Sequence, residues 1–563
     1  YQYMPGNSTF IIETTEDTWR KAGLDNATEE DTVAYCAKVF EKELGDDKLI
    51  TNNSVWRSFP RVKNEKYYHD NIVLLGDALH TAHFSIGSGT KLAMEDAVAL
   101  YDAIHENSND VKSALPAFQK KREPDVNALQ RAAQVSMEWF EDVERYHDVM
   151  EPMQFSYQLL TRSLRINHEN LRLRDDHLVA TMDDWVADKA AKQTGVKRSN
   201  ETPPPIFTPY KLRGMLLENR IAVSPMCMYS AEDGLIGDWH LVHLGSRAMG
   251  GAGLIMTEST AISADGRITP GCAGMYNDNH VAAWKRVVDF VHDNSYSKIG
   301  MQISHAGRKA STRLQWEGGE QAPLSSGAWD IISASPIPYS ASNPTPKEMT
   351  EADMEDVLND FVMAAGRADK AGFDMLELHC AHGYLLNTFI SPKTNIRSDD
   401  YGGSLENRLR YPLKVFETIR EKWPEQKPIS VRISATDWIE EGITPQDAVE
   451  IARAFKNIGC DILDVSSGQV VSEEKPEYGR LFQLPFSDRI RLEAEIPTMT
   501  VGNIQSYADA NSIIASGRGD ICVIARMHLF DPYWTRHAAN QLNYHLNMPN
   551  QYKSVQNYTP RWT

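Results

Sequence analysis

Met375-Leu376-Glu377-Leu378-His379-Cys380-Ala381-His382-Gly383-Tyr384 runs from an apolar, strand-like segment straight into two imidazoles and a phenol. Chemistry gathered where a buried strand ends is the plan of a (β/α)₈ barrel, whose functional side chains sit at the C-terminal ends of its strands. Two histidines three residues apart at such an end can both donate hydrogen bonds to one carbonyl oxygen, and Tyr384 can supply a proton. A zinc site is disfavoured, because no HExxH pattern and no paired-cysteine spacing accompanies the histidines. Working outward, seven more short apolar runs occur after residue 205: Ile221 to Ser224, Gly253 to Thr257, Ile299 to Ser304, Ile429 to Ser434, Ile462 to Ser466, Thr498 to Gly502 and Ile521 to Arg526. Most are separated by segments of helical pattern. Eight continuously apolar runs alternating with helices predict a parallel sheet covered on both faces and closed into a barrel. The overall expectation is an α/β chain, with a TIM barrel preceded by a partial α+β domain.

The ends of these runs form a set: Ser224-Pro225-Met226-Cys227-Met228-Tyr229, Glu258-Ser259, Gln302 with His305-Ala306-Gly307-Arg308, the His379/His382/Tyr384 group, Arg432, Gly502-Asn503 and Arg526. They offer donors for the polar edge of a flavin, a cation where a reduced flavin is negative, and a phosphate site at the seventh and eighth loops. The long interval from Gln315 to Pro346, rich in Ser, Pro and Trp, reads as a lid. The glycines of Asp400-Tyr401-Gly402-Gly403-Ser404, with Glu406-Asn407-Arg408, read as a braced turn.

Fifty-eight basic against 77 acidic side chains give a formal charge of −19, which disfavours a nucleic-acid partner. The six cysteines are dispersed without CxxC, so no disulfide framework or metal cluster is expected. No apolar run approaches the roughly 18 residues that span a bilayer. A cytoplasmic protein with no membrane partner is the expectation.

Ahead of the barrel, Ser8 to Glu13 reads as strand, and the absence of an initial methionine reads as a chain entered in the middle. Asn71-Ile72-Val73-Leu74-Leu75 leads into Gly76-Asp77, and Gly87-Ser88-Gly89-Thr90 opens a helix. An aspartate just past a strand can accept hydrogen bonds from hydroxyls, and glycines at a helix start let backbone N–H groups approach a ligand closely. Residues 96 to 189 are helical in pattern, punctuated by Pro116, Pro124 and Pro152, and 191–205 is polar and proline-rich, a linker.

Two resemblances rest on these motifs. Asp77 with Gly87 to Thr90 resembles the second FAD-binding motif of the aromatic-ring flavoprotein monooxygenases. It implies that Asp77 holds the ribityl chain and that Gly87, Ser88, Gly89 and Thr90 lie beside the pyrimidine edge of FAD; the GxGxxG element of that family is absent before Asp77. The match from 206 to about 545 is similar to the Old Yellow Enzyme family of FMN ene-reductases. That resemblance implies FMN held by Pro225, Met226, Ser259, Gln302, Arg432, Gly502, Asn503 and Arg526. It further implies Cys227 near the flavin, His379 and His382 on the substrate carbonyl, and Tyr384 as proton donor. The order of the two halves, 1–190 and 206–563, resembles a small group of two-flavin enzymes. Such enzymes use NADH and O2 on aryl-CoA thioesters, and family habit implies a homodimer. Arg308, Lys309 and Arg313 are candidates for the CoA phosphates, and Lys553 or Arg561 for an intersubunit contact. A stand-alone ene-reductase carrying residues 1–190 as a remnant, or a non-catalytic flavin module, are the other readings.

Overall fold

The computed structural model describes residues 2–51, 54–318, 321–556 and 558. All eight apolar runs are strands: β1 Ile221–Val223, β2 Leu254–Met256, β3 Lys298–Ser304, β4 Met375–Cys380, β5 Ile429–Ser434, β6 Ile462–Ser466, β7 Thr498–Thr500 and β8 Ile521–Ile524. Each pairs in parallel with its sequence neighbour, β8 pairs with β1, and β3 pairs with β4, so the sheet closes. A two-residue strand, Thr260–Ala261, adds to the end of β3.

Closure works because the strands are apolar on both faces. On β4, Leu376 and Leu378 pack outward into the helix layer, whereas Met375 joins Met256, Ile462 and Met499 in a separate cluster at the barrel floor. An antiparallel hairpin, Tyr210–Leu212 with Met215–Leu217, packs into that same cluster. Several of the helices are amphipathic and capped by a side chain. Glu351–Ala371 starts in a Thr350/Asp353 capping box and stops at Gly372, whose φ of 94° suits a residue without Cβ. Asp400 to Arg408 is indeed a brace: Ser404 caps helix Leu405–Lys422, and a Cβ on Gly402 would sit 2.0 Å from the Arg397 carbonyl oxygen.

The chain divides into two compact units, one up to Glu144 and one from Arg145 onward. The division therefore falls ahead of the expected boundary at 190. Helices Pro152–Thr161 and Asp176–Thr194 belong to the barrel's unit, where the His168 N–H donates to Ser512 Oγ at 2.6 Å and Arg518 donates to the Thr161 carbonyl at 3.3 Å. Within 195–204 there is no helix or strand, but Arg198 is tied back to Asp188 at 2.8 Å.

In the first unit two expectations change. Pro116 and Pro124 do not interrupt the helical pattern; both lie inside one helix, Val111–Glu141. The missing N–H groups are offset by a continuous buried stripe including Leu115, Phe118, Val126, Leu129 and Trp139. Strand in the expected Ser8 to Glu13 segment is confined to Asn7–Ser8, and Phe10 and Ile11 are exposed, so burial does not fix them as strand. Among the described residues no helix is long and apolar enough to cross a membrane.

Candidate active site

β4 and the turn after it bring His379, His382 and Tyr384 together. The His379 and His382 rings lie 5.2 Å apart and nearly perpendicular, and the Tyr384 ring is 5.0 Å from His379. His382 takes a φ of 61°, a left-handed turn that brings it back beside the strand it has just left. Its N–H donates to Ser434 Oγ at the end of β5, at 2.9 Å, fixing the turn.

Both imidazoles are neutral, since burial, the first cause, and the nearby Arg432 charge hold them well below the usual histidine range. Their partners assign the tautomers. His379 Nδ1 accepts the Ala381 N–H at 3.3 Å, so Nε2 carries the proton. His382 Nε2 lies 2.7 Å from Ser466 Oγ. Ser466 could instead donate to Gln483 Oε1, but at 3.4 Å, and that oxygen already receives Ser467 Oγ at 2.6 Å. The Ser466 hydroxyl therefore donates to His382, whose Nδ1–H remains for a ligand. Each imidazole keeps one N–H donor without carrying a charge.

The same burial sets the acid limit of the fold. His305 and His528 are also buried and pushed down to about 4. Unfolded histidines bind protons near 6.5, so between about 6.5 and about 4 the unfolded chain binds more protons than the folded one, and stability falls as pH falls. Each such group contributes about 1.4 kcal/mol per pH unit across that window. A melting temperature that drops steeply between pH 6.5 and 4 is expected. A flat profile over that window would show that these histidines titrate normally.

The other strand ends gather around the same mouth. Gln302 on β3 and Arg432 on β5 are buried, and Arg432 Nε has no hydrogen-bond partner among the described residues. Past β7, Gly502 and Asn503 both have positive φ, 120° and 57°, which turns the chain sharply at the mouth. Arg526, past β8, reaches Asn503 Oδ1 at 3.5 Å. Pro225, Met226 and Cys227 are half-buried on the loop after β1, and Ser259 is buried after β2. Burial, followed by the Glu258 charge, raises the Cys227 thiol well above its ordinary value, so it is a thiol and not a thiolate. A buried guanidinium, a neutral amide, and a positive-φ turn beside an arginine suit the ring and phosphate of FMN.

The charge run after β3 is not a phosphate site. Arg308 and Lys309 are 1% and 2% exposed, and their charges are spent on backbone carbonyls: Arg308 on Ile337 and Pro338, Lys309 on His382 and Gln469. Arg313 donates to the Pro323 carbonyl at 3.1 Å. Of these cations, Lys309 braces the turn under His382. In the lid interval, Trp316 stands 6.4 Å from Tyr229 and is largely exposed, while residues 319 and 320 lie outside the described residues, as does Arg561.

Sequence reading set Glu258 among the strand ends but passed over its partner His240. They form a buried pair at 2.8 Å, and Glu258 accepts the Met228 N–H at 2.8 Å, so the pair shapes the loop that carries Cys227. It also passed over Asp96 in the first unit. There Asp77 is exposed on the turn Gly76–Ala78, and Ser88 precedes helix Gly89–Glu106 with Gly87 at φ 62°. Buried Asp96 on that helix accepts the Gly76 N–H at 3.1 Å, His80 Nε2 at 2.8 Å and Arg122 Nε at 2.9 Å, which locks the Asp77 turn to the helix start. An exposed carboxylate beside open glycines at a helix N-terminus suits the sugar and ring edge of FAD.

Comparison with known proteins agrees with this division. Residues 205–545 match the NADH:flavin oxidoreductase / NADH oxidase family, and residues 3–133 match an FAD binding domain. An NADPH dehydrogenase of Geobacillus sp. (strain WCH70) is 43% identical over 350 residues, covering 62% of this chain and 97% of the relative. One of Bacillus licheniformis is 41% identical over 349 residues, with 62% and 97% covered. Among solved structures, morphinone reductase aligns with a TM-score of 0.52 at 25% identity, over 64% of this chain and 94% of its own. A 2-naphthoyl-CoA reductase in complex with 2-naphthoyl-CoA aligns with a TM-score of 0.54 at 24% identity; this chain spans 52% of its length and shares its fold. The chain is an oxidoreductase that uses FMN and FAD and draws electrons from NAD(P)H. Its barrel makes it a member of the NADH:flavin oxidoreductase / NADH oxidase family, with an FAD binding domain ahead of the barrel.

Proposed function

We propose that this chain acts on an aryl-CoA thioester in two successive steps, as a 2-aminobenzoyl-CoA monooxygenase/reductase. The FAD half would hydroxylate the ring, using O2 and NADH and releasing one oxygen atom as water. The barrel would then reduce a C=C bond of the product's non-aromatic keto tautomer with a second NADH. The observation that carries the reading is a pair of neutral imidazole N–H donors beside a phenol, in the same chain as an FAD binding domain. An enone is what such a donor pair activates, and ring hydroxylation is what generates one.

Gln302, Arg432, Gly502, Asn503 and Arg526 would hold FMN, which would supply the hydride. His379 Nε2 and His382 Nδ1 donate to the carbonyl oxygen and stabilise the negative charge that grows there. Being uncharged, they donate without surrendering a proton to the oxygen. Tyr384, which sits against His379, delivers the proton to the carbon next to the carbonyl. Lys309, with its ammonium 5.1 Å from the Tyr384 ring centroid, holds His382 and the phenol in one arrangement.

Oxygen uptake and NAD(P)H oxidation with 2-aminobenzoyl-CoA test the reading. Ring hydroxylation that consumes oxygen, with more NAD(P)H used than hydroxylation requires, is the expected result. A faster reaction with 2-hydroxybenzoyl-CoA would move the assignment to a salicylyl-CoA 5-hydroxylase. Activity only on simple enones, without oxygen uptake, would favour the second reading, a single-site ene-reductase. The identity of the barrel to NADPH dehydrogenases over 97% of a relative's length speaks for that alternative.

A further inference from the structure

One layer inside the barrel from the histidines lies a second polar group. Glu377 is two residues before His379 on β4 and shares its inward face. It is fully buried, as is Asp464 on β6, and between them stands one buried cation, Arg432. Glu377 Oε1 accepts Gln302 Nε2 at 2.8 Å, and Oε2 lies 2.9 Å from Ser430 Oγ. Arg432 Nε is 3.5 Å from Asp464 Oδ2, and neither Asp464 oxygen has a hydrogen-bond partner among the described residues.

We propose that Glu377 and Asp464 hold one proton between them, seated on Glu377, and that this neutral Glu377 is a positioning residue for the two side chains, Gln302 and Arg432, that face FMN. Two buried carboxylates beside one guanidinium leave an uncompensated charge, and a single proton removes it. Hydrogen bonding decides where the proton sits. On Glu377 Oε2 it is donated to Ser430 Oγ, whose own hydroxyl then turns to the Leu376 carbonyl at 3.4 Å. Glu377 Oε1 still accepts from Gln302, so both Glu377 oxygens and the Ser430 hydroxyl are paired. On Asp464 it would have no acceptor. Asp464 stays ionised against Arg432, and Gln302, anchored through Nε2, presents its carbonyl oxygen in one fixed sense. Burial and the Asp464 charge push the Glu377 carboxyl up to about 8. The Arg432 guanidinium and the hydrogen bonds from Gln302 and Ser430 oppose the shift.

The inference rests on Gln302 and Arg432 facing FMN, and two readouts separate that premise from the shared proton. Infrared spectra of the holoenzyme should show a buried protonated carboxyl that disappears as pH rises through about 8. Glu377→Gln should abolish that band; no such band in the parent, or one lost in Asp464→Asn and kept in Glu377→Gln, overturns the proposal whether or not the variants bind flavin normally. The second readout is the FMN midpoint potential against pH. In the parent, reduction adds negative charge above Glu377 and raises its proton affinity. The line should therefore steepen above about 8, and Glu377→Gln should retain FMN and run without that break. Superimposable lines overturn the proposal. Gln302→Ala with an unshifted flavin spectrum would fault the premise alone and leave the infrared result to decide the shared proton.

Discussion

With His379 and His382 both replaced by alanine, enone reduction should fall on the order of a thousandfold while FMN stays bound. Removing one preorganised donor to a developing oxyanion costs roughly a hundred- to a thousandfold in turnover, and a pair acting on one oxygen is not additive. The candidate FMN contacts lie on other strands: Gln302 on β3, Arg432 on β5, and the Gly502, Asn503 and Arg526 cradle past β7 and β8. Flavin content should accordingly be unaffected. Mixing photoreduced enzyme with an enone isolates the step, and its rate should drop at saturating enone, since the lost interaction belongs to the transition state. Reoxidation at the parent rate would remove the histidines from the chemistry. Single variants should fall less, because the donor left behind keeps its tautomer: the Ala381 N–H fixes His379, and Ser466 fixes His382.

What the sequence revealed of this site, and what it hid, follows from where the interactions close. His379, His382 and Tyr384 are neighbours in sequence, so a strand end followed by a turn is enough to bring them together. The barrel was legible for a similar reason: strands buried on both faces leave continuous apolar runs, and errors were confined to their ends. The run at Gly253 to Thr257 shortened to Leu254–Met256, although the Gly253 and Thr257 N–H groups still donate to the Ile221 and Gly300 carbonyls of the flanking strands. Hidden residues are those whose partners are remote. Glu377 sits in an apolar run and its partner Gln302 is 75 residues away; Asp96 finds Arg122 26 residues on. Arg308 and Lys309 look like a solvated charge run, yet their acceptors are carbonyls up to 162 residues away, and no local pattern marks them as buried. The helix through Pro116 and Pro124 shows a local rule losing to packing.

Replacing Arg432 by methionine should have the largest effect on the fold itself. Methionine keeps much of the apolar stem and removes the cation beside Asp464, whose carboxylate is buried without a hydrogen-bond donor among the described residues. Breaking a buried ion pair from one side costs about 3–5 kcal/mol, because the surviving charge stays behind uncompensated. FMN affinity should fall with it, since the same guanidinium is a candidate contact to the ring. Denaturant unfolding and flavin titration measure the two losses separately. A second substitution, Asp464→Asn, should restore much of the stability and little of the affinity, because it removes the stranded charge without returning a cation. Acid should rescue the single variant in the same way. Burial already raises the Asp464 carboxyl, and without Arg432 to oppose that shift it rises further, so the penalty present at neutral pH fades as the group is protonated. The Arg432→Met variant should thus lose less stability on acidification than the parent. If it is as stable as the parent at neutral pH, and Asp464→Asn changes nothing in its background, the guanidinium is not what compensates the carboxylates inside the barrel.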